Sequence, residues 1–82
     1  MIDANYSRQV KTFMELGWLL CVTREFDSNQ DDEVVCGRVN RVALCKDDRE
    51  LLLSPDTFTE IEADLEVSHH DRLCQTYYRL RY

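Results

Sequence analysis

The spacing of apolar residues changes at Gly17, and that change constrains the fold more than any other feature of the chain. Upstream, Tyr6, Val10, Phe13 and Met14 recur at helical spacing between Asp3 and Leu16, which places them on one stripe of an amphipathic helix. Arg8, Gln9, Lys11, Thr12 and Glu15 supply the solvated side, and Gly17 supplies a C-terminal stop. Downstream, Trp18, Leu20, Val22 and Arg24 alternate with Leu19, Cys21 and Thr23, with Phe26 close by. That mostly apolar run is rich in β-forming residues and reads as a largely buried strand.

The strand is followed by Asp27-Ser28-Asn29-Gln30-Asp31-Asp32-Glu33, which has nothing to bury and many turn formers, so it reads as a loop between antiparallel strands. A second strand runs from Val34 to Cys45 with Val35, Val39 and Leu44 among its apolar residues, and Gly37 marks a candidate bulge. Lys46-Asp47-Asp48-Arg49 is a polar turn, and Glu50 to Leu53 a short third strand. A three-stranded meander is near the minimum that is stable when a helix covers one face.

Residues 54–82 support two readings. Ser54-Pro55-Asp56-Thr57 resembles a helix start, and Phe58, Ile61 and Leu65 keep helical spacing. Against a helix, Ile61, Ala63, Leu65 and Val67 alternate with Glu60, Glu62, Asp64 and Glu66, the period of a half-buried strand. A helix would also set Glu60 against Asp64 and Glu62 against Glu66, each like-charge pair costing about 0.2–0.5 kcal/mol. The strand is the preferred reading. With Ser68-His69-His70-Asp71 as a hairpin loop, Leu65 would face Cys74, Ile61 would face Tyr78, and Glu60 would face Arg79. A rival for the tail is a helix from His69 to Arg81.

The expected fold is therefore α+β, in one domain spanning residues 1–82. An N-terminal helix packs on a twisted antiparallel sheet of about four or five strands, which could close as a small barrel. The alternative is the three-stranded meander with C-terminal helices. A chain of this length buries only about 60% of its unfolded surface, so the core is modest.

No residue pattern points to catalysis or to a cofactor. His69, His70, Asp71 and Cys74 are neighbours in sequence, but a structural zinc site needs a second ligand cluster and none is present, so no metal is expected. Cys74 beside a histidine formally offers a nucleophile and base, yet it lies in an apolar stretch without a nucleophile elbow. Gly17 and Gly37 are isolated, so no loop can cradle phosphate. Cys21, Cys36, Cys45 and Cys74 all sit in apolar stretches and are expected as reduced, buried thiols. The longest apolar run, Trp18 to Val22, is far short of the roughly 20 residues of a membrane-spanning helix, and the polar start does not read as a secretory signal. The expected location is the cytoplasm.

Acidity is the feature left over. The chain carries 16 Asp and Glu against 10 Lys and Arg, and between Ser54 and Asp71 there is no Lys or Arg. Direct nucleic-acid binding through this surface would be repelled by phosphate. One reading is that the acids simply keep the chain soluble. The sharper one is that Asp31, Asp32, Glu33, Glu60, Glu62, Asp64 and Glu66 engage a basic surface of a partner, such as a nucleic-acid-binding protein. As a strand, the last four would form a row with a spacing of about 6–7 Å. Small acidic DNA-mimic and anti-CRISPR proteins of phage and plasmids are similar in size and charge, a likeness of composition alone. Two further expectations stand beside this inhibitor or adaptor. One is a hydrophobic module or homodimer, using a sheet edge or Tyr77, Tyr78 and Tyr82. The other is a small metal- or thiol-dependent enzyme built on His69, His70, Asp71 and Cys74.

Overall fold

The computed structural model describes residues 4–28 and 34–81. Helix α1 (Ala4–Glu15) leads into strands β1 (Leu19–Ser28), β2 (Val34–Lys46) and β3 (Arg49–Leu53). A short helix α2 (Asp56–Ile61) and one 3-10 turn (Glu62–Asp64) precede β4 (Leu65–Arg72) and β5 (Gln75–Leu80). All five strands form one antiparallel sheet in the order β3-β2-β1-β5-β4. The fold is α+β, and the sheet is open: β3 and β4 are its edges, so the barrel allowed by the sequence does not form. The helices supply the cover that closure would otherwise have to supply.

Gly17 stops α1 through its left-handed backbone, φ +102. The Gly17 amide donates to the Met14 carbonyl at 3.1 Å and the Trp18 amide to the Phe13 carbonyl at 3.2 Å, the paired bonds of a Schellman ending. The hydrophobic contact of that motif is present too, with the Phe13 and Trp18 rings edge to face at 5.5 Å. Lys46 Nζ donates to the free Leu16 carbonyl at 2.9 Å.

The strand period then sorts side chains between faces. Leu20 and Val22 of β1 pair with Leu44 and Val42 of β2, and all four are buried with Val10, Met14, Trp18, Phe58, Ile61 and Leu65 in one core cluster. Burying each large aliphatic side chain contributes about 1.5–3 kcal/mol. Tyr78 of β5 completes the cover, its ring 4.9 Å from that of Phe58.

Residues 54–72 depart from the preferred strand reading. Ser54 Oγ accepts from the Asp56 amide at 3.3 Å and its carbonyl accepts from the Thr57 amide at 3.0 Å, so the chain starts a helix here. Phe58 and Ile61, three apart, point into the core. Because the helix ends at Ile61, Glu62 and Glu66 never share a helical face and the expected like-charge cost does not arise. The strand starts at Leu65, opposite Leu80 rather than Cys74, and it is Glu66, not Glu60, that faces Arg79. Ser68, His69, His70 and Asp71 lie within β4, and the reversal falls at Leu73 and Cys74.

The C-terminal helix from His69 to Arg81 is likewise replaced by strand. β5 gives β1 its second ladder, from Leu20 opposite Tyr78 to Thr23 opposite Gln75, and a helix would have left that edge of β1 unpaired. Asp27 and Ser28, expected in the loop, belong to β1, and residues 29–33 lie outside the described residues. Gly37 falls in the stretch of β2 where the β1–β2 register shifts.

Two cysteines are not the reduced, buried thiols expected. Cys36 and Cys74 form a disulfide, with Cα atoms 5.3 Å apart, whereas Cys21 and Cys45 are free. Beyond Arg24 and Val39, β1 and β2 run past their neighbours as a two-stranded arm, so Cys36 is exposed. The Arg24 amide donates to the Cys74 carbonyl at 2.8 Å, which brings the β4–β5 turn alongside the arm.

Candidate functional site

Elements α2 and β4 decide which acids are available. Asp64 ends the 3-10 turn facing α1, where Lys11 Nζ meets its carboxylate at 2.6 Å, and its carbonyl accepts from the Arg81 amide at 2.9 Å. Glu66 is held opposite Arg79, its carboxylate 3.2 Å from the guanidinium. Both pairs are part-exposed and contribute at most about 1 kcal/mol each. Their consequence is geometric: Asp64 and Glu66 are committed to the fold's own cations.

Glu60 and Glu62 are exposed and form no ion pair among the described residues, and Asp56 at the start of α2 is the same. The acids of this segment therefore divide. The row of Glu60, Glu62, Asp64 and Glu66 at strand spacing does not form, because three of the four sit on helical turns. What remains is a short helical face with Asp56 and Glu60 four residues apart and Glu62 just beyond. Sequence reading omitted Asp56 from the candidate site, although the Ser54-Pro55 helix start was the signal that would have added it. Asp31, Asp32 and Glu33 lie outside the described residues.

The bases are almost all consumed internally. Lys11, Arg38, Arg41, Arg72 and Arg79 face carboxylates of Asp64, Glu25, Glu50, Asp71 and Glu66. The Glu50 partner, helped by its hydrogen bond, holds the Arg41 guanidinium above its usual pKa. Lys46 and Arg81 donate to the carbonyls of Leu16 and Leu65. Arg24 and Arg49 lie over the rings of Phe58 and Trp18, at 5.8 and 5.1 Å. Arg8 on α1 is left exposed.

Of the residues considered for chemistry, His69 lies on the opposite face of the sheet with Tyr77, whereas His70 faces the same side as Thr76 and Val22. His69 stacks on Tyr77 with ring centroids 4.7 Å apart, and a shallow depression of about 330 Å³ lies between them, Leu19, Cys45 and the β2–β3 turn. Burial, with Cys21 adding to it, pushes the Cys45 thiol up to about 11 and the Tyr77 phenol up to about 12. A thiol so shifted supplies almost no thiolate near neutral pH. Cys74 is tied in the disulfide and is no free nucleophile, and His70 Nδ1 is 3.0 Å from Thr76 Oγ1. Among the described residues no group of three or more His, Cys, Asp or Glu is placed to hold a metal ion.

The hydrophobic surfaces considered for association also divide. Tyr77 and Tyr78 are half-buried in the sheet, and Tyr82 lies outside the described residues. Edge strand β3, by contrast, exposes Leu51 and Leu52, the latter at 69%. Among the described residues no helix is long and apolar enough to cross a membrane. No family model matches the chain, and no match was found among the curated proteins or the solved structures.

Proposed function

We propose that this chain is a small, non-enzymatic acidic binding protein, an inhibitor or adaptor that engages a basic surface of a partner protein. The observation that carries the reading is the division of charge: nearly every Lys and Arg is spent on an internal partner, while Asp56, Glu60 and Glu62 stand exposed on one short helical segment without an ion pair among the described residues. Carboxylates held on a packed element keep their place as a partner approaches and steer a cationic surface at long range. A nucleic-acid-binding protein has such a surface, and an acidic helical face would compete there with phosphate. The expected setting is the cytoplasm, although an intramolecular disulfide is more usual in oxidising compartments.

The test is binding of an arginine-rich peptide, followed by capture of the natural partner from lysate and its identification by mass spectrometry. Converting Asp56, Glu60 and Glu62 together to Lys should weaken binding at least about tenfold and flatten its salt dependence. The same reversal at Asp47 and Asp48, in the β2–β3 turn, should have a much smaller effect. Unchanged affinity in the triple variant would eliminate this face.

A second reading is favoured by the exposed β3 edge: a homodimer or adaptor pairing strand to strand through Leu51 and Leu52. Light scattering separates the two, since an acidic binder stays monomeric across the micromolar range.

A further inference from the structure

The β1–β2 arm is set apart from the body of the sheet. The β5 ladder on β1 ends at Thr23 opposite Gln75, and the β3 ladder on β2 begins at Val42 opposite Leu53. Beyond those points β1 and β2 pair with each other. The register between them shifts twice at the junction, between Thr23 and Arg24 and between Arg24 and Phe26. Such irregularities break the ladder locally and let a strand pair bend. On the arm itself Phe26 is 69% exposed and Val35 48%, and Arg38 pairs with Glu25 within the arm.

The covalent tie between arm and body is the bond from Cys36, opposite Phe26 on the arm, to Cys74 in the β4–β5 turn. Cys74 carries a left-handed backbone, φ 60, a region that non-glycine residues rarely adopt. That turn is held by the crosslink and by the Arg24 amide bonded to the Cys74 carbonyl. Cys36 is the exposed partner and Cys74 the buried one.

We propose that the Cys36–Cys74 disulfide is a redox-operated latch, whose reduction by a dithiol releases the β1–β2 arm from the β4–β5 turn while the five-stranded body stays folded. One thiolate of the dithiol attacks the exposed Cys36 Sγ. The Sγ–Sγ bond breaks, and its electron pair leaves on Cys74 Sγ, which takes a proton from solvent. The second thiolate of the reductant attacks its own bonded sulfur and expels Cys36 as a thiolate, which is protonated in turn. Two electrons and two protons enter the chain, and the reductant departs as its disulfide. The remaining thiols do not reshuffle the bond: Cys21 is enclosed in the sheet, and the Cys45 thiol is held at about 11. The latch does not depend on the acidic interface.

The test compares the full chain, isotopically labelled, before and after treatment with dithiothreitol, by backbone amide relaxation. Alkylation of the untreated chain under denaturing conditions should first find Cys21 and Cys45 free and Cys36 and Cys74 protected. On reduction, amides of Phe26, Asp27 and Val35 should drop from order parameters of about 0.85 to below about 0.6, or broaden by slow exchange, while those of Leu20, Val22, Val42 and Leu44 keep their folded values. Cys36→Ser should show the released arm with or without reductant. The proposal is overturned if all four thiols alkylate in the untreated chain, or if reduction leaves the arm as rigid as before. It is equally overturned if reduction loosens arm and body alike, which would make the bond a staple of the whole fold, or if Cys36→Ser still responds to dithiothreitol.

Discussion

Thr57 offers the sharpest test of how α2 is seated. It is fully buried, and its Oγ1 has no hydrogen-bond partner among the described residues. A buried hydroxyl left unsatisfied costs about 1–3 kcal/mol relative to its hydrated state in the unfolded chain. Valine has nearly the same shape, brings a methyl in place of the hydroxyl, and differs little from threonine in helix propensity. Thr57→Val should therefore stabilise the protein by about 1–2 kcal/mol, which for a chain of this size raises Tm by at least about 4 °C.

The measurement is urea unfolding followed by the fluorescence of Trp18, which is buried in the same core and should respond on unfolding. The midpoint should rise with an unchanged slope, since the surface exposed on unfolding is the same. Thr57→Ser provides the opposite sign, because it keeps the unsatisfied hydroxyl and deletes a packed methyl, a loss of about 1 kcal/mol. If Thr57→Val proved less stable than the wild type, the hydroxyl would have to be bonded in the folded protein. The reasoning from an unsatisfied buried hydroxyl would then fail.

Two further outcomes follow from the same structure. Reducing the Cys36–Cys74 disulfide, whose cysteines are 38 residues apart, should lower the free energy of global unfolding by at most about 4 kcal/mol on the loop-entropy estimate, less what the released arm regains, with the body still folded before urea is added and with a fall in the urea midpoint that Cys36→Ser reproduces and that reductant does not deepen. Stability should also fall as pH rises from about 9 towards 11 and beyond: the folded state holds the Cys45 and Tyr77 protons more tightly than the unfolded chain, with values raised to about 11 and about 12, so the unfolded state binds fewer protons in that window and gains. Unfolding midpoints compared at about pH 8 and pH 10.5 check this, and Cys45→Ala should reduce the drop.

The α+β class and the antiparallel sheet were legible because their signals are local and strong. The period change at Gly17 is one, and the polar turn before Arg49 is another. Residues 54–67 were harder because two periods coincide. Phe58 and Ile61 are three apart on α2, while Leu65 and Val67 are two apart on β4, and Ile61 and Ala63 fit either pattern. A helix of six residues is too short for periodicity to decide. The disulfide was illegible for another reason. Cys36 and Cys74 meet only because the arm overruns its neighbours in the sheet, and no spacing of cysteines along the chain encodes that.

The acidic face can be separated from mere solubility by asking what it does to the helix that carries it. Asp56 sits at the N-terminal end of α2, where a negative charge is favourable, but Glu60 and Glu62 lie at its C-terminal end, against the helix dipole, with no basic residue in its last turn. For a segment this short the effect is a few tenths of a kcal/mol per residue, in the direction of instability. Neutralising both, as Glu60→Gln with Glu62→Gln, should therefore leave the urea midpoint unchanged or slightly raised. If the pair forms part of an interface for a basic partner, the same variant should bind an arginine-rich peptide several-fold more weakly, with a shallower dependence on salt. Opposite movements of stability and binding mean that the local structure tolerates these charges for the sake of a contact outside it. If stability fell with the charges removed, Glu60 and Glu62 would be working within the fold, and the acidic face would lose the argument that distinguishes it from the paired Asp64 and Glu66.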